Sequence, residues 1–125
     1  MEKYVVKNAD GTVRHYEVMS EFRNGFAKVR DENMKWLVIN KKFEQVTPRV
    51  YDRIYNTYYG YSVVELDGKY GFIDEEGNEI CEIKYEHIGC FNEYGFAPIV
   101  VPNAKSDRIY WIDTQGKEYY LYFHV

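Results

Sequence analysis

The sequence predicts an all-β domain of about three and a half antiparallel three-stranded repeats, forming a curved sheet or a partly closed barrel. Three observations predict it. A Gly-aromatic pattern returns in Asn24-Gly25-Phe26-Ala27, Tyr59-Gly60-Tyr61-Ser62 and Tyr94-Gly95-Phe96-Ala97, with glycines 35 residues apart twice in succession. A fixed period of this length marks stacked copies of one supersecondary unit. Between these tips run four further landmarks, Asn8-Ala9-Asp10-Gly11, Asn40-Lys41-Lys42-Phe43, Asp74-Glu75-Glu76-Gly77 and Asp113-Thr114-Gln115-Gly116. The third observation is an aromatic share of 18%, dominated by 14 Tyr, whose rings pack while their hydroxyls reach water or a partner, as half-buried sheet faces require.

The 125 residues are enough for one domain and one core, with units at approximately 4–34, 35–68, 69–108 and 109–125. A core of that size stands without a metal or disulfide staple, so no cofactor is expected. Met1-Glu2-Lys3-Tyr4-Val5-Val6-Lys7 lacks the apolar core of a signal peptide, and no run is long enough to span a bilayer. The expectation is a cytoplasmic protein without membrane contact. Cys81 and Cys90 are too few for a disulfide framework and read as small apolar residues.

Each Asx-led landmark is a hairpin turn. Asp or Asn in the first place caps nearby amides, and Gly in the fourth accepts a positive φ, as in a type I turn with a G1 bulge. Phe43 departs from the pattern, so its turn is built differently or carries strain. Each turn follows an apolar strand: Tyr4-Val5-Val6, Trp36-Leu37-Val38-Ile39, Tyr70-Gly71-Phe72-Ile73 and Tyr110-Trp111-Ile112. A second extended stretch comes after it. In residues 79–88, Cys81, Ile83, Tyr85 and His87 alternate with Glu82, Lys84 and Glu86, a period of two that predicts a strand with one buried face. Tyr51, Ile54, Tyr55 and Tyr58 instead fall at helical spacing, which competes with a strand there. The last strand, Tyr119–Val125, is apolar on both faces and lacks a guarding charge or proline. Covering it takes either closure against the N-terminal hairpin or a second subunit, giving a homodimer.

These units resemble the WG-repeat (KWG-repeat) family of bacterial proteins. Lys69-Tyr70-Gly71-Phe72-Ile73-Asp74, Lys84-Tyr85-Glu86 and Gly95-Phe96-Ala97 carry the likeness, which runs over nearly the whole chain. A literal Trp-Gly does not occur, and Trp36 is followed by Leu37. The motifs are structural, so the resemblance implies a β-repeat binding scaffold and no particular activity.

Candidate chemistry is sparse. Cys81, His87 and Cys90 offer three metal ligands at irregular spacing, and plain packing explains them better. Glu86 and His87, as strand neighbours, point to opposite faces and cannot share an acid–base pocket by simple spacing. No nucleophile elbow, phosphate loop or dinucleotide fingerprint is present, and the expectation is a protein that is not an enzyme.

Candidate contact residues lie elsewhere. Thr47, Arg49, Tyr51 and Arg53 correspond to Cys81, Ile83, Tyr85 and His87 one repeat later, so a face apolar in one copy is basic in the other. Alternatively, Pro48 bulges the chain and turns both arginines to solvent. Lys28, Arg30, Lys41 and Lys42 add positive charge nearby. Residues 1–62 hold 11 Lys+Arg against 8 Asp+Glu, whereas 63–125 hold 5 against 12. The acidic total disfavours nucleic acid. Tyr55, Tyr58, Tyr59 and Tyr61 form the strongest candidate contact surface, since loop tyrosines give rigid amphipathic area. The lengthened connection 98–108, with Lys105 and Arg108, is the second. The expected function is non-catalytic protein binding, as a small adaptor or inhibitor of a larger protein. The alternatives are an acidic charge mimic competing for a nucleic-acid-facing site and a glycan-binding or small enzymatic domain.

Overall fold

The computed structural model describes residues 4–7, 11–105 and 108–122; the Asn8-Ala9-Asp10 part of the first turn and the end of the final strand lie outside them. Eleven strands follow one another with no helix among the described residues: β1 (Tyr4–Lys7), β2 (Val13–Met19), β3 (Phe26–Asp31), β4 (Trp36–Asn40), β5 (Arg53–Tyr58), β6 (Tyr61–Leu66), β7 (Lys69–Asp74), β8 (His87–Ile88), β9 (Phe96–Val100), β10 (Arg108–Asp113) and β11 (Glu118–Tyr122). They form three antiparallel sheets, ordered β1-β2-β3-β4, β5-β6-β7 and β8-β9-β10-β11.

The repeat is visible in the pairing. β2, β5 and β8 open their copies, β3, β6 and β9 follow the Gly-aromatic tips, and β4, β7 and β10 run up to the Asx turns. After β4 and β7 the chain turns back for a single bridge, Ile39↔Gln45 or Ile73↔Glu79. It then crosses to the next sheet. On the way Tyr51 exchanges both backbone hydrogen bonds with Trp36 (2.7 and 2.8 Å), and Tyr85 does the same with Tyr70 (3.0 and 3.1 Å). After β10 the same segment stays paired, so the equivalent contact, Ile112↔Glu118, begins the full strand β11.

One hydrogen-bond ring builds the Asx turns. Asp74 Oδ1 accepts the Glu76 and Asn78 amides, both at 2.9 Å, and Gly77 N–H donates to the Asp74 carbonyl. Asp113 and Asn40 repeat it. So do Asp31 and Asn92, which the sequence analysis did not single out as turns. The fourth residue of each ring has a positive φ: 66° at Met34, 59° at Phe43, 86° at Gly77, 82° at Gly95 and 80° at Gly116. Phe43 therefore sits in the same turn under left-handed strain, and its ring packs edge-on against Phe22 at 5.9 Å.

Packing joins the copies through three buried tyrosines, Tyr16, Tyr51 and Tyr85. One core lies on the first sheet around Tyr16, Val29 and Leu37. A second, with Val38, Tyr51, Val64 and Ile73, links the first sheet to the second. The third holds Val63, Phe72, Phe91, Ala97 and Ile112 between the second and third. Inside this packing Tyr51 Oη donates to Glu79 Oε2 at 2.6 Å and Tyr85 Oη to Glu118 Oε2 at 3.0 Å. Glu79 and Glu118 both stand five residues past a turn Asp, so each tyrosine latches onto the corresponding place in the following copy.

Two open alternatives are decided and two expectations are corrected. The sheet does not close into a barrel among the described residues: β11 pairs only with β10, and β1 only with β2. Residues 53–58 are strand, not helical turn. Opposite Ile54 stands Val64 and opposite Thr57 stands Ser62, so one extra residue is bulged between them, and that bulge turns Ile54 and Thr57 both inward three residues apart. Residues 79–88 are not one strand either. Their alternation breaks because Tyr85 pairs with Tyr70 while His87 pairs with Val100 in another sheet. His87, expected on the buried face, is consequently exposed.

Candidate interaction surface

The β5–β6 hairpin carries most of the candidate tyrosines on a two-residue turn. Tyr59 and Gly60 have φ of 50° and 89°, the pattern of a type I′ turn, whose twist matches that of the flanking strands. The β2–β3 tip has the same form, with Asn24 at 53° and Gly25 at 88°. Asn tolerates the left-handed region, whereas a bulky side chain there is strained by its Cβ against the following carbonyl. Tyr59 takes on that strain and leaves its ring 66% exposed. The third tip differs: Asn92 rings the turn, Gly95 alone has the positive φ, and Tyr94, equivalent to Tyr59, is 78% exposed without strain.

Around Tyr59 the structure brings together Tyr55 and Tyr58, both exposed. Tyr55 Oη donates to Glu65 Oε1 across the hairpin at 2.9 Å, and partial desolvation followed by this contact holds its phenol above the usual tyrosine range. Tyr61 turns the other way, half-buried, with its ring 4.8 Å from that of Phe91.

The remaining candidates separate. Tyr51 is fully buried, so it serves the core and the inter-repeat latch and offers no contact surface. Arg49 is half-exposed and bonds Glu79 at 2.9 Å, while Arg53 lies exposed opposite Glu65. Both arginines face solvent, as a chain deflected near Pro48 would have them, yet Thr47 and Tyr51 stay inside. Pro98–Val100, read as loop, belongs to β9. Lys105 is exposed. Arg108 is committed within the molecule: its guanidinium lies 4.7 Å from the Tyr120 and Tyr122 ring centres, and it donates to Tyr122 Oη at 3.1 Å.

No group of three His, Cys, Asp or Glu side chains is arranged to hold a metal among the described residues. Burial pushes the Cys81 thiol up to about 11, which keeps it protonated and a poor ligand. Sequence reasoning missed Glu79 and Glu118 as latch residues, although aligning the copies on their turn Asp would have placed them together. It also missed the cross-repeat bond from Asn24 Nδ2 to Glu75 Oε2, at 2.9 Å.

Comparison with known proteins gives one family. The model of the WG-containing repeat matches residues 38–70 and again 70–103. The first match begins within β4 and the second near the start of β7, and each runs through the hairpin that follows. No curated protein and no solved structure matches the chain.

Proposed function

The chain belongs to the WG-repeat family, and from that premise we propose that it is a non-catalytic protein-binding module, acting as a small adaptor or as an inhibitor of a larger protein. The observation that carries this reading is Tyr59. An exposed aromatic residue held at φ 50°, where the first hairpin uses Asn, is a local strain of the kind that accumulates at functional positions. Tyr55 and Tyr58 beside it extend an amphipathic surface suited to a protein partner, and Tyr94 is exposed on the next tip.

The test separates stability from binding. Tyr59→Asn removes the left-handed strain, so unfolding in urea is expected to become harder by about 0.5–1 kcal/mol. Retention of a host partner by the immobilised protein is expected to fall in the same variant and further in Tyr58→Ser/Tyr59→Asn. A partner held equally by the native and double-substituted proteins, or none held at micromolar bait, would overturn the proposal.

A further inference from the structure

The two junctions between sheets are built from equivalent positions and each holds a core, yet only the second is filled at its hairpin-tip end. Three residues after the Ile that pairs with β6 or β9 stand Thr57 at the first junction and Phe91 at the second, since Ile54↔Val64 and Ile88↔Ile99 set the two hairpins in the same register. Two residues after the tip glycine the corresponding pair is Ser62 and Ala97. Three residues after the preceding tip glycine stand Lys28 and Val63, and two before the Asx turn Val38 and Phe72. At the second junction these side chains make a core, with the Phe91 ring 4.5 Å from Phe72 and 4.8 Å from Tyr61. At the first junction the small and polar replacements leave an open cleft of about 720 Å³, walled by Phe26, Trp36, Val38 and Tyr58.

The polar replacements are ordered. Lys28 Nζ reaches across from β3 to the Tyr55 carbonyl at 2.8 Å and Thr57 Oγ1 at 3.4 Å. Thr57 Oγ1 lies 2.8 Å from the buried Ser62 Oγ. The ammonium thus spends two of its three donors on neutral oxygens. Among the described residues no carboxylate comes within salt-bridge range of it. Burial, then the charge of Arg23 on the same wall, lowers its pKa. Of the acids on the lining, Asp74 is engaged by turn amides and Glu75 by Asn24, and Glu21 is exposed.

We infer that this cleft binds a small aryl carboxylate, its ring taking the space that Phe91 fills at the next junction and its carboxylate meeting Lys28 and Arg23. The volume falls in the range of small-molecule sites. A half-buried cation with a spare donor and no counter-ion among the described residues is complementary to a carboxylate, whose charge-assisted hydrogen bonds are the stronger kind. This inference rests on the cleft and shares only Tyr58, a wall residue, with the Tyr59 surface.

Phenylacetate and its neutral analogue benzyl alcohol are the probes, followed by NMR on the full chain. Phenylacetate is expected to shift the Lys28, Thr57 and Ser62 amides and the Trp36 indole N–H, leaving that of Trp111 unmoved, with half-saturation at about 1 mM. Benzyl alcohol, and phenylacetate with Lys28→Met, are expected to bind at least about fivefold more weakly. Thr57→Phe, which copies the filled junction, should abolish binding. Three results would overturn the inference: no saturable shift by about 20 mM phenylacetate, equal binding of benzyl alcohol or by Lys28→Met, or undiminished binding by a folded Thr57→Phe.

Discussion

Replacing Gly116 with Ala is expected to lower the stability of the chain by about 3 kcal/mol, and Tm by roughly 10 °C. Two penalties coincide at this turn. Its φ of 80° is one that a Cβ strains, by roughly 1 kcal/mol. A Cβ there would also stand 2.1 Å from the Ile80 carbonyl oxygen of the preceding copy, a backbone atom that cannot swing aside. Gly77, one copy earlier, meets the side-chain methyls of Val46 and Thr47 at 3.0 and 3.1 Å, and Gly60 has nothing within 4 Å. The losses for Ala should therefore rise from Gly60 through Gly77 to Gly116, with Gly60→Ala near 1 kcal/mol. Urea unfolding of the three variants checks the order. Equal losses at Gly60 and Gly116 would mean that backbone conformation alone dictates these glycines and that copy-to-copy approach adds nothing.

Turn glycines were readable from sequence, and much else was not. Asp74 and Gly77 act within five residues, so their signal is local and complete. Phe43 obeys the same ring geometry while hiding its commonest mark, because a packed phenyl ring offsets a strained φ. Alternation fails as a guide where the neighbour changes: Cys81 to Tyr85 answer to β7, whereas His87 answers to β9. The helical spacing of Tyr51, Ile54, Tyr55 and Tyr58 marked no common face, since Tyr51 and Ile54 turn inward while Tyr55 and Tyr58 are exposed on a bulged strand. Tyr51 and Tyr59 are the same residue type eight positions apart, one sealed and one exposed. Only the bridge from Tyr51 to Trp36 tells them apart, and it is non-local. The Lys28 cleft was less legible still, since it is recognised by comparing two junctions and no single segment contains it.

Alkaline pH offers the sharpest test of how the copies hold one another. Burial first, and then hydrogen bonding to Glu79 and Glu118, drives the phenols of Tyr51 and Tyr85 above the ordinary tyrosine value. In the unfolded chain they titrate near 10. The folded state thus keeps two protons that the unfolded state releases, so stability from these groups is complete below pH 10 and declines as pH rises past it. Each tyrosine contributes a slope approaching about 1.4 kcal/mol per pH unit, and the pair a loss of roughly 2.5 kcal/mol between pH 9 and pH 11. Tyr51→Phe/Tyr85→Phe removes both titrations and both hydrogen bonds. It is expected to start about 2 kcal/mol below the native chain at pH 8, yet to lose correspondingly less on the way to pH 11, so the two profiles converge. Urea denaturation across that range reads both quantities. Parallel profiles would show that the phenols ionise as readily in the fold as out of it, and coincident ones that the latch between neighbouring copies carries no energetic weight.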